Sequence, residues 1–206
     1  MTTTQQAGSS ERVERTRRRI LEAAGRCFAE LGFAKSTIEE IARSSGVSKA
    51  LVYVHFRGKE ELLEAVFEAT LDEWGAFTWS AIERQGTGTV ATALAIMHRA
   101  SIEYARDHPL LRSIMNREAA IALAPHLRPL GRRAQESWRE RLVALVEAGI
   151  ASGELRTDLD PALVADVVRL LHMAFLDRLF DPEPINVASP DLIETSVKVL
   201  ERGLLR

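Results

Sequence analysis

The side chains best equipped to bind something lie in one short run, "SGVSKALVYVHFRGKEELL", residues 45 to 63. Lys49, Tyr53, His55 and Lys59 offer N–H and O–H donors and two cations there, a chemistry suited to phosphate oxygens and to the edges of bases. Catalytic and metal chemistry find less to use. The five histidines are His55, His98, His108, His126 and His172. None has a glutamate three residues before it or a second histidine four away, so the paired metal motifs are missing. No glycine loop for cradling phosphate and no G-x-S-x-G elbow occurs. The chain is therefore expected to be no enzyme and to need no metal and no cofactor.

The elements that position that run belong to a chain of 206 residues, 46% apolar and 27% charged, enough for one domain or a small domain joined to a larger one. No apolar run approaches the roughly 20 residues of a bilayer span, and the basic N-terminal stretch has no apolar segment behind it, so a cytoplasmic protein without membrane contact is expected. The single cysteine, Cys27, falls on an apolar helical stripe, where a small buried thiol is the simplest role. Residues 1–60 contain 11 Lys/Arg against 7 Asp/Glu, and residues 61–206 contain 16 against 22. A basic end on an acidic body points the first part toward a polyanion.

Apolar periodicity makes nearly the whole chain helical. Residues 1–10 are polar and expected to be disordered. A first helix is predicted over residues 11–31, with Ile20, Ala24, Cys27, Phe28 and Leu31 on one face and Gly32 as its stop. Thr37 with Glu40 reads as a capping box for a short second helix, Gly46 ends it, and Ser48 can cap a third through about Phe56. The β-rich run "LVYVHF" would suit a strand by propensity, but it has no partner strand elsewhere. Two short helices crossing steeply need a small residue at the crossing, a left-handed turn and inward anchors. Ala42, Gly46, Val47 and Val52 supply these, with Ile41 and Phe56 adding core. Lys49, Ala50, Leu51, Tyr53 and Val54 are then left to project, as on a helix offered to a major groove.

From Thr37 to Leu63, "T-x-x-x-I-A", "S-G-V-S-K", "Y-x-H-F" and "K-E-E-L-L" closely resemble the DNA-binding domain of the TetR (tetracycline-repressor) family of bacterial transcriptional regulators. The resemblance covers about a quarter of the chain; beyond it only length, helix content and a Gly-x-x-x-Gly-Glu element match. It implies an all-α fold of about nine helices: a three-helix helix-turn-helix domain, residues 11–58, followed by an effector-binding and dimerisation domain, residues 59–206. It also implies that Thr37, Ser48, Tyr53, His55 and Lys59 contact phosphates or support such contacts, with His55 equally able to fasten the end of its helix to a backbone carbonyl. Lys49 becomes the candidate reader of guanine and Leu51 of a thymine methyl. Ala50 stands where the family often has Gly or Pro, and Val54 where an aromatic or His is common.

In the body, the expected effector lining is Trp74, Met97, His98, Met115, Trp138, His172 and Phe175, each of which would serve equally as core filling. Asn116 and Glu118 are polar candidates to orient a ligand. The eighth predicted helix, residues 161–180, is apolar nearly all round, which requires burial on two sides. Val164, Val168, Leu171 and Phe175 there, with Ile193, Val197, Leu200 and Leu204 on the ninth, are the expected seam of a homodimer. The expected partners are thus double-stranded operator DNA, a small apolar or amphipathic effector and a second copy. A constitutive DNA-binding regulator without an effector is the alternative.

Overall fold

A computed structural model describes residues 3–85, 88–115, 117–179 and 190–204. Helices account for most of them: α1 (Thr3–Lys35), α2 (Ile38–Ser45), α3 (Lys49–His55), α4 (Lys59–Gln85), α5 (Val90–Asp107), α6 (Pro109–Met115), α7 (Arg117–Ala151), α8 (Pro161–Leu179) and α9 (Pro190–Leu204). No strand occurs among the described residues. No described helix is long and apolar enough to cross a membrane.

The local signals act where the sequence puts them. Thr37 and Glu40 form the complete capping box: the Glu40 amide donates to the Thr37 hydroxyl at 3.2 Å, and the Thr37 amide donates to the Glu40 carboxylate at 2.9 Å. Hydrogen bonds from Thr37 hold the Glu40 carboxyl below its ordinary range. Gly46 takes the left-handed conformation at φ 66° and closes α2 with its N–H on the Ala42 and Arg43 carbonyls. The Ser48 hydroxyl accepts from Leu51 N at 3.2 Å and starts α3. Asp160 caps α8 through Ala162 N and Leu163 N, ahead of Pro161.

Helix α1 departs from its expected limits. It begins at Thr3, inside the stretch expected to be disordered, and extends to Lys35 with non-helical geometry at Gly32, φ 76°. Leu31 is exposed and not on the core face, while beyond the break Phe33 packs on the core. Downstream, apolar spacing predicts helices over residues 109–124 and 127–151, but the break falls earlier, because α7 starts at Arg117 and continues through Pro125 and Pro129.

Two compact units emerge. The first comprises residues 1–70 with 109–127, the second residues 71–108 with 128–206. In the first, Ile20, Phe28, Ile41, Val52, Phe56, Leu62 and Leu63 form a core that also takes in Leu110, Leu123 and Leu127. Ser113 ties α6 to α1 by donating to the Phe28 carbonyl at 3.1 Å. A division of the sequence after residue 58 misses this share, which comes from far along the chain. Cys27 is buried here, and burial pushes its thiol pKa up.

In the second unit Val90, Leu94, Met97, Leu142, Val146, Leu155, Val164, Ala165 and Val168 pack together. The Gly-x-x-x-Gly-Glu element acquires a physical role. The Glu154 carboxylate caps the start of α5, accepting from Val90 N at 2.9 Å and Ala91 N at 3.2 Å. The approach depends on two glycines: a Cβ on Gly149 would sit 2.7 Å from Val90 and 2.8 Å from Leu155, and Gly153 adopts φ 77°. The element is thus a tertiary helix cap.

Helix α8 corrects the expected seam. Val164 and Val168 are 8% and 3% exposed because they face the unit's own core, and Phe175 lies edge-on against His98. The outward face carries Leu163, Val167 and Leu170, 65%, 52% and 59% exposed, together with Leu171. Leu171 of the expected seam thus lies on the outward face, whereas Val164 and Val168 turn to the core. On α9, Ile193, Val197, Leu200 and Leu204 lie outside the described side chains.

Candidate nucleic-acid interface and effector cluster

The interface is built on α3, a helix of seven residues that could not stand alone in water. It holds its shape because Val52 and Phe56 are buried beneath it and Ser48 caps its first turn. Everything else on the helix projects: Lys49, Ala50, Leu51, Tyr53 and Val54 are exposed and His55 half-buried beside the Phe56 ring. Val54, a β-branched apolar residue, is 76% exposed. Lys49 rests 3.4 Å from the Glu39 carboxylate, with both side chains in solvent, so the pair is weak and the ammonium can exchange it for a base or phosphate.

Two of the residues expected at phosphates are engaged in hydrogen bonds within the chain. Thr37 uses both its amide and its hydroxyl hydrogen on Glu40. The Lys59 ammonium donates to the carbonyls of Phe33, Ala34 and Ser36 at 2.8, 3.3 and 3.1 Å, and stands 4.4 Å above the centre of the Phe33 ring. Two of those carbonyls are orphans of the end of α1 and the third follows it, so Lys59 works as a clamp on the α1–α2 connection. Lys59→Ala is accordingly expected to lower stability by about 1–3 kcal/mol, the cost of stranding charge-assisted partners. A lowered Tm with an unchanged salt dependence of DNA binding checks this; an unchanged Tm with a shallower salt slope returns Lys59 to the phosphate backbone.

Two arginines of α1 make contacts within the unit. Arg19 donates to the Ser45 carbonyl at 2.6 Å, completing the end of α2, and a Cβ on Gly46 would meet its guanidinium at 2.9 Å. Arg17 lies over the Phe56 ring at 5.3 Å. Arg12, Arg15, Arg18, Arg43 and Arg57 remain exposed around the unit.

In the second unit the structure brings together four of the expected effector residues. His98 and His172, on α5 and α8, approach through their Nδ1 atoms at 3.0 Å, and His172 Nε2 lies 2.8 Å from the Ser101 hydroxyl. Phe175 stands edge-on to His98 at 4.6 Å, and Trp138 lies nearly parallel to His172 at 6.5 Å. Burial lowers the pKa of His98 to about 4; burial and then the neighbouring His98 lower that of His172 to about 3. Both rings are neutral at pH 7. His98 Nε2 is buried with no hydrogen-bond partner among the described residues, a state that costs about 1–3 kcal/mol.

The other expected lining residues divide. Trp74 joins through its indole N–H, which donates to the Ser101 carbonyl at 3.1 Å, while its ring stacks on Tyr104. Met97 belongs to the neighbouring core. Met115 is assigned to the first unit, and its side chain, like that of Glu118 and the whole of Asn116, lies outside the described residues. Trp79, packed on Trp138 at 5.5 Å, and Ser101 are members that apolar spacing did not single out as ligands. No group of three or more metal-binding side chains occurs among the described residues.

A family model described as "Bacterial regulatory proteins, tetR family" matches residues 20–66, from the core of α1 into α4. The transcriptional repressor KstR2 of Mycolicibacterium smegmatis is 30% identical over 152 residues, 73% of this chain and 72% of its own length. The fatty acid metabolism regulator protein of Bacillus subtilis is 25% identical over 184 residues, 88% of this chain and 90% of its own. The solved structure of FadR from Bacillus subtilis, in complex with stearoyl-CoA, superposes with a TM-score of 0.69 at 20% identity, covering 90% of this chain and 97% of that one. With a projecting α3 on a basic head and a relationship that extends through most of the chain, the protein belongs to the TetR family of bacterial transcriptional regulators.

Proposed function

We propose that this DNA-binding regulator is a homodimeric repressor that holds a two-fold-symmetric operator and releases it when a small apolar or amphipathic molecule occupies the second unit. Its family sets an enzymatic role aside. The observation that carries the dimer is the outward stripe of Leu163, Val167, Leu170 and Leu171 on α8, a set of large apolar side chains that one copy leaves in water. A second copy related by a two-fold axis would bury the same stripe from both sides. Two α3 helices about 34 Å apart would then enter successive major grooves. The protein would work in the cytoplasm, where its operator is.

The effector side of the reading rests on the cluster around His98 and Trp138 and on relatives concerned with fatty acids by name or by bound ligand. Helix α4 is continuous through the division at residues 70 and 71. A ligand that prefers one setting of its second half would change the spacing of the two reading helices, and only its difference in affinity between the two settings counts. Operator selection on the purified protein, followed by affinity measurements with fatty acyl-CoA present and absent, tests the proposal. The usual coupling of about 1–3 kcal/mol appears as a 5- to 150-fold loss of operator affinity. Operator affinity indifferent to fatty acyl-CoA and to neutral amphiphiles would favour the constitutive alternative.

Within the same selection, Lys49→Ala is expected to relax preference at one base position per half-site by about 1–3 kcal/mol, since its ammonium is an exposed donor on α3 held only by a weak surface pair with Glu39. An unchanged base preference would leave α3 reading through Leu51, Tyr53 and Val54 alone.

A further inference from the structure

The hydrogens of the buried row Ser101–His172–His98 can be placed by elimination. Each neutral imidazole carries one N–H. In one direction the Ser101 hydroxyl donates to His172 Nε2, His172 Nδ1–H donates to His98 Nδ1, and the hydrogen of His98 must then sit on Nε2. In the other, His98 Nδ1–H donates to His172 Nδ1 and His172 Nε2–H donates to Ser101. That leaves the Ser101 hydroxyl hydrogen without an acceptor, because no other hydrogen bond of that hydroxyl is described, and His98 Nε2 as a bare lone pair. The first direction leaves one group unused and the second leaves two, so the first prevails. The row therefore ends in an N–H donor, on the side of the His98 ring away from His172.

We propose that His98 Nε2–H reads a hydrogen-bond-accepting oxygen on the effector, a neutral carbonyl of a ketone, ester or thioester on an otherwise apolar frame. This rests on the reading of the second unit as an effector site and adds the chemistry that the site selects. His98 is itself buried, its surroundings are the Phe175 ring and the Trp138–His172 stack, and no cation is described within that cluster to compensate an anionic ligand. A carboxylate would lose its hydration there without a counter-charge, and an ammonium would meet a donor with a donor. A carbonyl oxygen would give the buried, unpartnered His98 Nε2–H the acceptor it lacks among the described residues. Ser101 and His172 are positioning residues: they set which nitrogen of His98 carries the hydrogen.

Two measurements on the full-length protein test this. Nitrogen NMR of histidine-labelled protein is expected to show His98 as the Nε2–H tautomer and His172 as the Nδ1–H tautomer; the reverse pair overturns the proposal without any ligand. The second uses matched probes, methyl ketones, alkanes and primary amines of equal chain length, with decalone and decalin as the ring pair, read by tryptophan fluorescence and by operator affinity. Ketones are expected to bind roughly 2- to 10-fold more tightly than their hydrocarbons, the factor a net hydrogen bond supplies. His98→Phe is expected to abolish that preference while keeping hydrocarbon binding, and His98→Gln, which restores an N–H, to recover it. Equal binding of ketone and hydrocarbon, or a preference that survives in His98→Phe, overturns the carbonyl reading and leaves the effector site standing. Binding of no probe, with operator affinity unchanged by all of them, overturns the effector site itself.

Discussion

Leu170→Glu and Val167→Glu are each expected to give a folded monomer. Both side chains are more than half exposed in a single copy, so a carboxylate there meets water and the chain's own core is untouched. In the proposed dimer the same carboxylate lies in an apolar seam, unpaired and present twice by symmetry, at several kcal/mol for each buried charge. It also replaces a side chain whose burial contributes about 1.5–3 kcal/mol. The adjacent Val168→Glu behaves differently. Val168 packs with Leu94, Leu142 and Val146, and a charge there attacks the second unit's core. Sedimentation and thermal melting separate the cases: Leu170→Glu should sediment as a monomer with a monomer's cooperative melt, whereas Val168→Glu should melt early or fail to fold. A Leu170→Glu protein that sediments as an intact dimer would place the seam elsewhere.

The difference between those neighbouring valines shows why α8 was hard to read in one dimension. Where polar and apolar residues alternate at helical spacing, as around Ile20, Ala24 and Phe28, the pattern itself marks the buried face. In "ALVADVVRLLHMAFL" nearly every position is apolar, and which stripe turns to the chain's own core depends on partners on α5 and α7. The short-range devices were legible because their two halves lie within a few residues: Thr37 with Glu40, Gly46 after α2, Asp160 before Pro161. Lys59 was legible as a cation expected to contact phosphate or support such a contact, but its acceptors at Phe33, Ala34 and Ser36 were not, because they come from an earlier helix end. His98 and His172 were picked out singly for the body. Their 3.0 Å contact joins positions far apart in the chain and no local spacing encodes it.

That contact makes the second large effect one of acid. Stability is expected to fall as pH drops below 6.5, and to fall less steeply when His172 is replaced by Gln, an uncharged residue that can still bond Ser101 and His98. In the folded protein burial holds His98 at about 4 and His172 at about 3, against 6.5 for an imidazole in the unfolded chain. A folded pKa below the unfolded one means that, once the pH passes under 6.5, the unfolded chain binds protons that the folded chain refuses. The stabilisation from the neutral rings is therefore complete above 6.5 and is lost progressively toward about 4 for His98 and about 3 for His172. Each ring contributes a slope of up to about 1.4 kcal/mol per pH unit, so the pair can remove several kcal/mol, a large share of a domain's usual 5–15. Carboxylates held low by basic or hydrogen-bonding partners, Asp158 and Asp166 among them, weaken the fold further as they protonate, and they do so in wild type and variant alike. Urea midpoints measured across this range on both proteins isolate the histidine share as the difference in slope. Parallel curves would mean that His172 takes up its proton in the folded protein as readily as in the unfolded chain, and the neutral, buried row from Ser101 to His98 would fall with it.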